Sequence, residues 1–201
     1  MTFVQPKIDI RMLWEPGGNL GAEYNRCFRE SPHNWLLFVD PDVLMLNPIY
    51  YLVMQEVIRR NPETGVFTCF ANSIGGRWQK TPGKPAIEAP LMRHDGSKRD
   101  DSHLGFAQRW WDKFQYQCTE LKPETYEDCP GGFLMLISRK TWETVGGFTD
   151  GMHVDRRFYW NCVKKGIPIM RMDGIYCYHA RDRRVAKTRW IPDVRLSTEI
   201  R

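Results

Sequence analysis

Apolar residues fall along the chain in two rhythms, short unbroken runs and positions that repeat every three or four residues. The run Trp35-Leu-Leu-Phe-Val39 has strand length and no polar position, which predicts a central strand buried on both faces. Residues 133–137, preceded by Pro130-Gly131-Gly132, predict a second short apolar strand. Residues 8–14 alternate and are rich in β-formers, predicting a strand closed by the turn Glu15-Pro-Gly-Gly18. Further strands are predicted over 65–70, 167–172 and 175–178.

The helical rhythm begins at Asn19, an N-cap residue followed by Leu20, Tyr24, Cys27 and Phe28 on one face through Arg29. Residues 50–60 and 103–116 repeat it, the latter through Phe106, Trp110 and Phe114. Residues 155–165 predict a last helix, closed by Gly166 with Lys164 and Lys165 in its final turn. Residues 74–101 are polar and rich in Gly, Pro and Lys, predicting a mobile loop. Strands alternate with helices, so the expected class is α/β with a mainly parallel or mixed central sheet. No repeat or boundary interrupts the pattern, and one domain is expected over residues 1–201.

Composition narrows this picture. At 201 residues and 42% hydrophobic, the chain can bury one sizeable core, and 13% aromatic content with interspersed charge excludes a disordered or fibrous chain. A net charge of +5 suits a ligand carrying phosphates and suits nucleic acid equally. Six cysteines without a C-x-x-C pair read as reduced thiols, which leads us to expect a cytoplasmic protein. The first residues lack the apolar run of a signal peptide, and no stretch reaches the ~18 apolar residues of a membrane span.

Candidate chemistry starts at Asp40-Pro-Asp42, directly after the buried strand 35–39. In open α/β sheets, ligands bind beyond the carboxyl ends of the strands, and two acids there can offer oxygen to Mg²⁺ or Mn²⁺. A surface turn capped by aspartates accounts for the same residues.

Read in order, the run Gly18-Asn-Leu-Gly21-Ala-Glu-Tyr-Asn25, the strand end Asp40-Pro-Asp42, Gly131-Gly132-Phe133, Gly146-Gly147-Phe148 and the helix start Val154-Asp155 form a pattern covering about residues 18 to 179. That pattern resembles the GT-A glycosyltransferases of family 2 and their galactosyltransferase-like relatives, in a short form ending Met172-Asp-Gly-Ile-Tyr-Cys-Tyr-His179. The resemblance implies a Rossmann-like GT-A fold with a shortened N-terminal nucleotide-binding part. It implies sugar transfer from a nucleotide-sugar, a UDP- or GDP-sugar foremost, to a hydroxyl of a glycan, lipid, protein or modified nucleic acid, with Mn²⁺ or Mg²⁺.

Roles follow by resemblance. Asp40 and Asp42 become the metal and donor carboxylates, and His179 completes the metal site; an ordinary half-buried histidine is the other reading. Asp155 becomes the general base of an inverting transfer, or simply an acid favoured at a helix N-terminus. The family's Glu-Asp is Val154-Asp155 here. Asn19, Gly21 and Asn25 would line the diphosphate, with helix capping as the alternative for Asn19 and Gly21. Gly131 and Gly132 would pass close to the donor sugar, although a plain turn also explains them. Arg181, Arg183 and Arg184 could clamp the diphosphate or form a solvated tail. Trp110 and Trp111 suit sugar stacking and helix-core packing. Arg11 or Trp14 could reach the base, and the loop 74–101 could close over the donor.

Two other classes compete. A nucleotidyltransferase would need a Gly-rich basic phosphate loop after a first strand, which is missing from the sequence. A non-catalytic carbohydrate- or nucleic-acid-binding module would not require Asp155.

Overall fold

The computed structural model describes residues 5–13, 18–81 and 102–180. Its elements run β1 (Ile8–Met12), α1 (Leu20–Glu30), β2 (Trp35–Val39), β3 (Val43–Met45), α2 (Tyr50–Arg60), β4 (Val66–Ala71), a 3₁₀ turn (Arg77–Gln79), α3 (His103–Phe114), β5 (Cys118–Leu121), β6 (Leu134–Ser138), α4 (Arg139–Val145), α5 (Val154–Lys164) and β7 (Ile169–His179). The alternation expected from the apolar rhythms is therefore present, as an α/β fold with a mixed open sheet.

The seven strands form one sheet in the order β1-β2-β6-β4-β7-β3, with β5 also on β7. β1 and β2 are parallel, as are β4 and β7, and β6 runs antiparallel between β2 and β4. The 11-residue β7 is long enough to take two antiparallel neighbours end to end, β5 against Ile169–Met172 and β3 against Cys177–His179.

Side chains of β2 divide the core by their alternation. Leu37 and Val39 join Val53, Met54 and Val57 of α2, whereas Leu36 and Phe38 join Tyr24 and Phe28 of α1 and Phe158, Tyr159 and Cys162 of α5. Helices thus cover both faces. On β4 and β7, Phe70, Tyr176 and Tyr178 alternate with Ala71 and Cys177 and pack with Trp110 of α3.

Two differences from the sequence reading have clear causes. The strands expected at 167–172 and 175–178 are one strand, because Asp173-Gly174 makes a bulge, with the β4 register shifting between Cys69 and Phe70, instead of a turn. Gly174 is required there, since a side chain would collide with the Gln115 carbonyl. The short strands β3 and β5 carry three and four residues and give too little alternation to be predicted. Residues 82–101 of the expected loop lie outside the described residues, while its first part folds into the 3₁₀ turn that buries Gln79.

Candidate metal centre and the acid beside it

The sheet brings the carboxyl ends of β1, β2, β4 and β7 and the start of β6 to one edge. Asp40 leaves β2 there, and Asp40 N–H donates to the Phe133 carbonyl at the mouth of β6 (2.9 Å). The chain turns at once, with Val43 N–H on the Asp40 carbonyl (3.0 Å), and enters β3, where Val43 pairs with His179. Ala180 N–H then closes onto the Asp42 carbonyl (2.9 Å). The three-residue strand β3 is thus what carries Asp42 to the end of β7.

Asp40, Asp42 and His179 each turn one ligand atom inward, and these atoms lie within 4.8 Å of one another. His179 Nε2 is 3.4 Å from Asp42 Oδ1 and 3.9 Å from Asp40 Oδ2. The imidazole is 3% exposed, so its orientation is fixed by protein. His179 Nδ1 lies 2.9 Å from the Ser73 carbonyl, which can only accept, so this nitrogen carries the proton and Nε2 is directed at the carboxylates. Asn72 clips the same residue by its backbone, accepting from His179 N–H (2.6 Å) and donating to its carbonyl (3.2 Å). Phe133 stacks on the ring, with centroids 5.5 Å apart.

Two carboxylates and an imidazole nitrogen converging at this distance could hold a metal ion. The donor set of two oxygens and one nitrogen suits a divalent cation of the Mn²⁺ or Mg²⁺ kind.

Asp155 stands at the same edge, in the first turn of α5. Its Oδ2 accepts the Gly132 N–H at 2.6 Å, and a side chain on Gly132 would strike the Asp155 Cβ. The neighbouring Gly131 is held by the amide of buried Gln79, which accepts from Gly131 N–H (2.7 Å) and donates to its carbonyl (2.9 Å) and to Thr68 Oγ1 (2.6 Å). The segment Gly131-Gly132-Phe133 therefore links Asp155 on one side to the Asp40–His179 pair on the other.

The remaining predicted residues divide. Asn19 caps α1 through Ala22 N–H (3.1 Å). Gly21 lets α1 approach the Thr149 carbonyl, which an added Cβ would meet at 2.5 Å. The Asn25 amide is committed to the Gly146-Gly147-Phe148 turn, accepting from Phe148 N–H and Trp142 Nε1–H and donating to the Phe148 carbonyl, each at 2.8 Å. Gly147, at φ +79°, has no room for a Cβ beside Asn25. Two segments of the sequence pattern thus meet as one packing contact. Trp110 is buried with its Nε1–H on the Asp173 carbonyl (2.5 Å), and Trp111 packs edge-on against Tyr116. Arg11 pairs with Asp9 (2.8 Å). Trp14, Arg181, Arg183 and Arg184 lie outside the described residues.

Sequence reasoning missed Asn72, Ser73, Gln79 and Tyr24. Burial pushes the Tyr24 hydroxyl far above the usual phenol range, and the charges of Asp40 and Asp155 add to it, so it stays protonated beside both acids. Its only sequence signal was an aromatic at helical spacing. Among the described residues, no helix is long and apolar enough to cross a membrane. All six cysteines are free. No protein-family model matches the chain and no curated protein matches it.

Proposed function

We propose that this chain is a metal-dependent glycosyltransferase of GT-A type, moving a sugar from a nucleotide-sugar to an acceptor hydroxyl with inversion. The observation that carries the reading is the convergence of Asp40, Asp42 and His179 at the carboxyl edge of the sheet, with Asp155 held one glycine away. A divalent cation on the first three residues would neutralise charge growing on a nucleoside diphosphate leaving group.

The chain's own residues supply the rest. Asp155 accepts the proton of the attacking hydroxyl; Gly132 fixes Oδ2, which leaves Oδ1 to take it. Gly132, with no side chain, lets Asp155 pack directly against the backbone at the mouth of β6, and Gly131 does the same for Ile74, so both glycines serve to position the proposed base beside the donor sugar. Ser73 and Asn72 hold His179 in the tautomer and orientation that ligation needs. Arg181 and Arg184, which follow β7, are assigned to the diphosphate in this proposal.

The test is a thermal-shift panel of UDP-, GDP-, CMP- and dTDP-sugars with and without Mn²⁺, on wild type and Asp42→Ala. A donor at about 100 times its Kd adds about 2.7 kcal/mol, a rise of roughly 5–11 °C for a chain of this size. One nucleotide class should give that rise only when both Mn²⁺ and Asp42 are present. No rise with any donor would contradict the proposal, and turnover releasing pyrophosphate in place of a nucleoside diphosphate would make the chain a nucleotidyltransferase.

A further inference from the structure

A cavity of about 620 Å³ opens between α3 and the β5–β7 pair. Its walls include Phe70, Trp110, Phe114, Thr119, Arg171 and Asp173. The volume falls within the range of small-molecule sites. The sheet face that carries α1 and α5 is apolar at Val66, Met135, Ile137 and Ile169, and two residues along β7 from Ile169 the same face presents Arg171. A cation at such a position is costly unless something uses it.

Part of Arg171 serves the fold. Its Nε–H donates to Asp173 Oδ1 and its Nη1–H to the Trp78 carbonyl, both at 2.7 Å, and the guanidinium lies 3.9 Å over the Phe70 ring. Asp173 in turn accepts from Thr119 Oγ1 at 2.5 Å. These contacts lock the guanidinium plane where Arg171 lines the cavity. The exposed side chains of Gln117 and Lys80 stand at the rim.

This lining selects a chemistry. Arg171 is neutralised by Asp173, so a phosphate or polynucleotide, which seeks clusters of unpaired cations, is poorly served. Aromatic walls beside a rigid planar donor, an amide and a hydroxyl suit a neutral polyhydroxylated ligand, whose C–H faces pack on rings while its hydroxyls bond to fixed polar groups. The cavity is also tied to the proposed base. Arg171 holds Trp78, the next residue Gln79 holds Gly131, and Gly132 holds Asp155. We infer that this cavity is a saccharide subsite that binds the part of an acceptor glycan remote from the reacting hydroxyl, an inference that rests on the glycosyltransferase reading.

The test is NMR of the full chain, following the Trp110 indole N–H during titration with methyl glucoside, methyl galactoside, methyl mannoside, N-acetylglucosamine and maltotriose. At least one should move that signal saturably, and Gln117→Ala and Lys80→Ala should each weaken binding roughly fivefold to tenfold, the loss of about one hydrogen bond. Arg171→Lys, which keeps the charge and removes the fork, should weaken it further. No response to any saccharide, or a response to inorganic phosphate or an oligonucleotide instead, overturns the inference. Mn²⁺ titration of the same samples separates the two claims. Mn²⁺ bound through Asp42 with a silent cavity sinks the subsite alone, whereas saccharide bound without Mn²⁺ sinks the acceptor role and the glycosyltransferase reading together.

Discussion

The backbone N–H of Gly132 donates to Asp155 Oδ2 at 2.6 Å, across a gap that leaves no space for even a methyl group on Gly132. That bond orients a carboxylate from α5 over the mouth of β6, one residue from the Phe133 carbonyl that receives Asp40 N–H. Gly132→Ala forces α5 and the strand apart and should cost about 1–3 kcal/mol, as overpacking does. Turnover should fall with Asp155 displaced, while Mn²⁺ affinity stays within a factor of two or so, a change of less than about 0.5 kcal/mol. Full activity in a folded Gly132→Ala protein would show that the Asp155 position is not needed.

Asn72 holds the His179 backbone from both sides. Outer contacts of this kind typically contribute 10–100-fold to metal affinity. Asn72→Ala should therefore weaken Mn²⁺ binding by about that factor with Asp40 and Asp42 intact, which isothermal titration measures directly. Unchanged affinity would mean that Ser73 and Phe133 suffice to hold the ring.

Asn25 separates packing from donor contact. Its amide makes three bonds to the Gly146-Gly147-Phe148 turn and to Trp142, so Asn25→Ala should destabilise the fold by about 1–3 kcal/mol in urea denaturation. Mn²⁺ binding should persist below the new melting temperature. A variant of wild-type stability that has lost only nucleotide-sugar binding would return Asn25 to the diphosphate role that the sequence resemblance implied.

The long elements were legible in the sequence because their signals were local. The run 35–39 is β2 residue for residue, the helix expected over 50–60 is α2, and Asn19 is the cap of α1. Asp40 and Asp42 were legible for the same reason, as acids after an unbroken apolar run. Asn72, Ser73 and Gln79 were not, because their tasks are bonds to His179 and Gly131, 52 to 107 residues away. β3 was hidden by its brevity, and with it the pairing that joins Asp42 to His179. Gly21 and Asn25 show the converse: their motif could be read, but the contacts they make belong to a turn more than a hundred residues later.

Alkaline pH should destabilise the protein. Burial pushes the thiols of Cys118 and Cys162 up to about 12 and that of Cys129 up to about 11. A raised folded-state value favours the protonated thiol in the native state, so this contribution is complete below the ordinary thiol range near 8.5 and is lost as pH rises toward 11–12. Under reducing conditions the melting temperature should hold up to about pH 8.5 and fall steadily above it. A flat profile to pH 11 would mean that these thiols are not buried as described.

The central claim is that Asp40, Asp42 and His179 form one cation site, and electron paramagnetic resonance of added Mn²⁺ tests it without donor, acceptor or turnover. Wild type should remove about one Mn²⁺ per chain from the free signal, and Asp42→Ala and His179→Ala should each weaken that binding by at least about tenfold, a loss of about 1.4 kcal/mol. Binding of Mn²⁺ to both folded variants as tightly as to wild type would contradict the account.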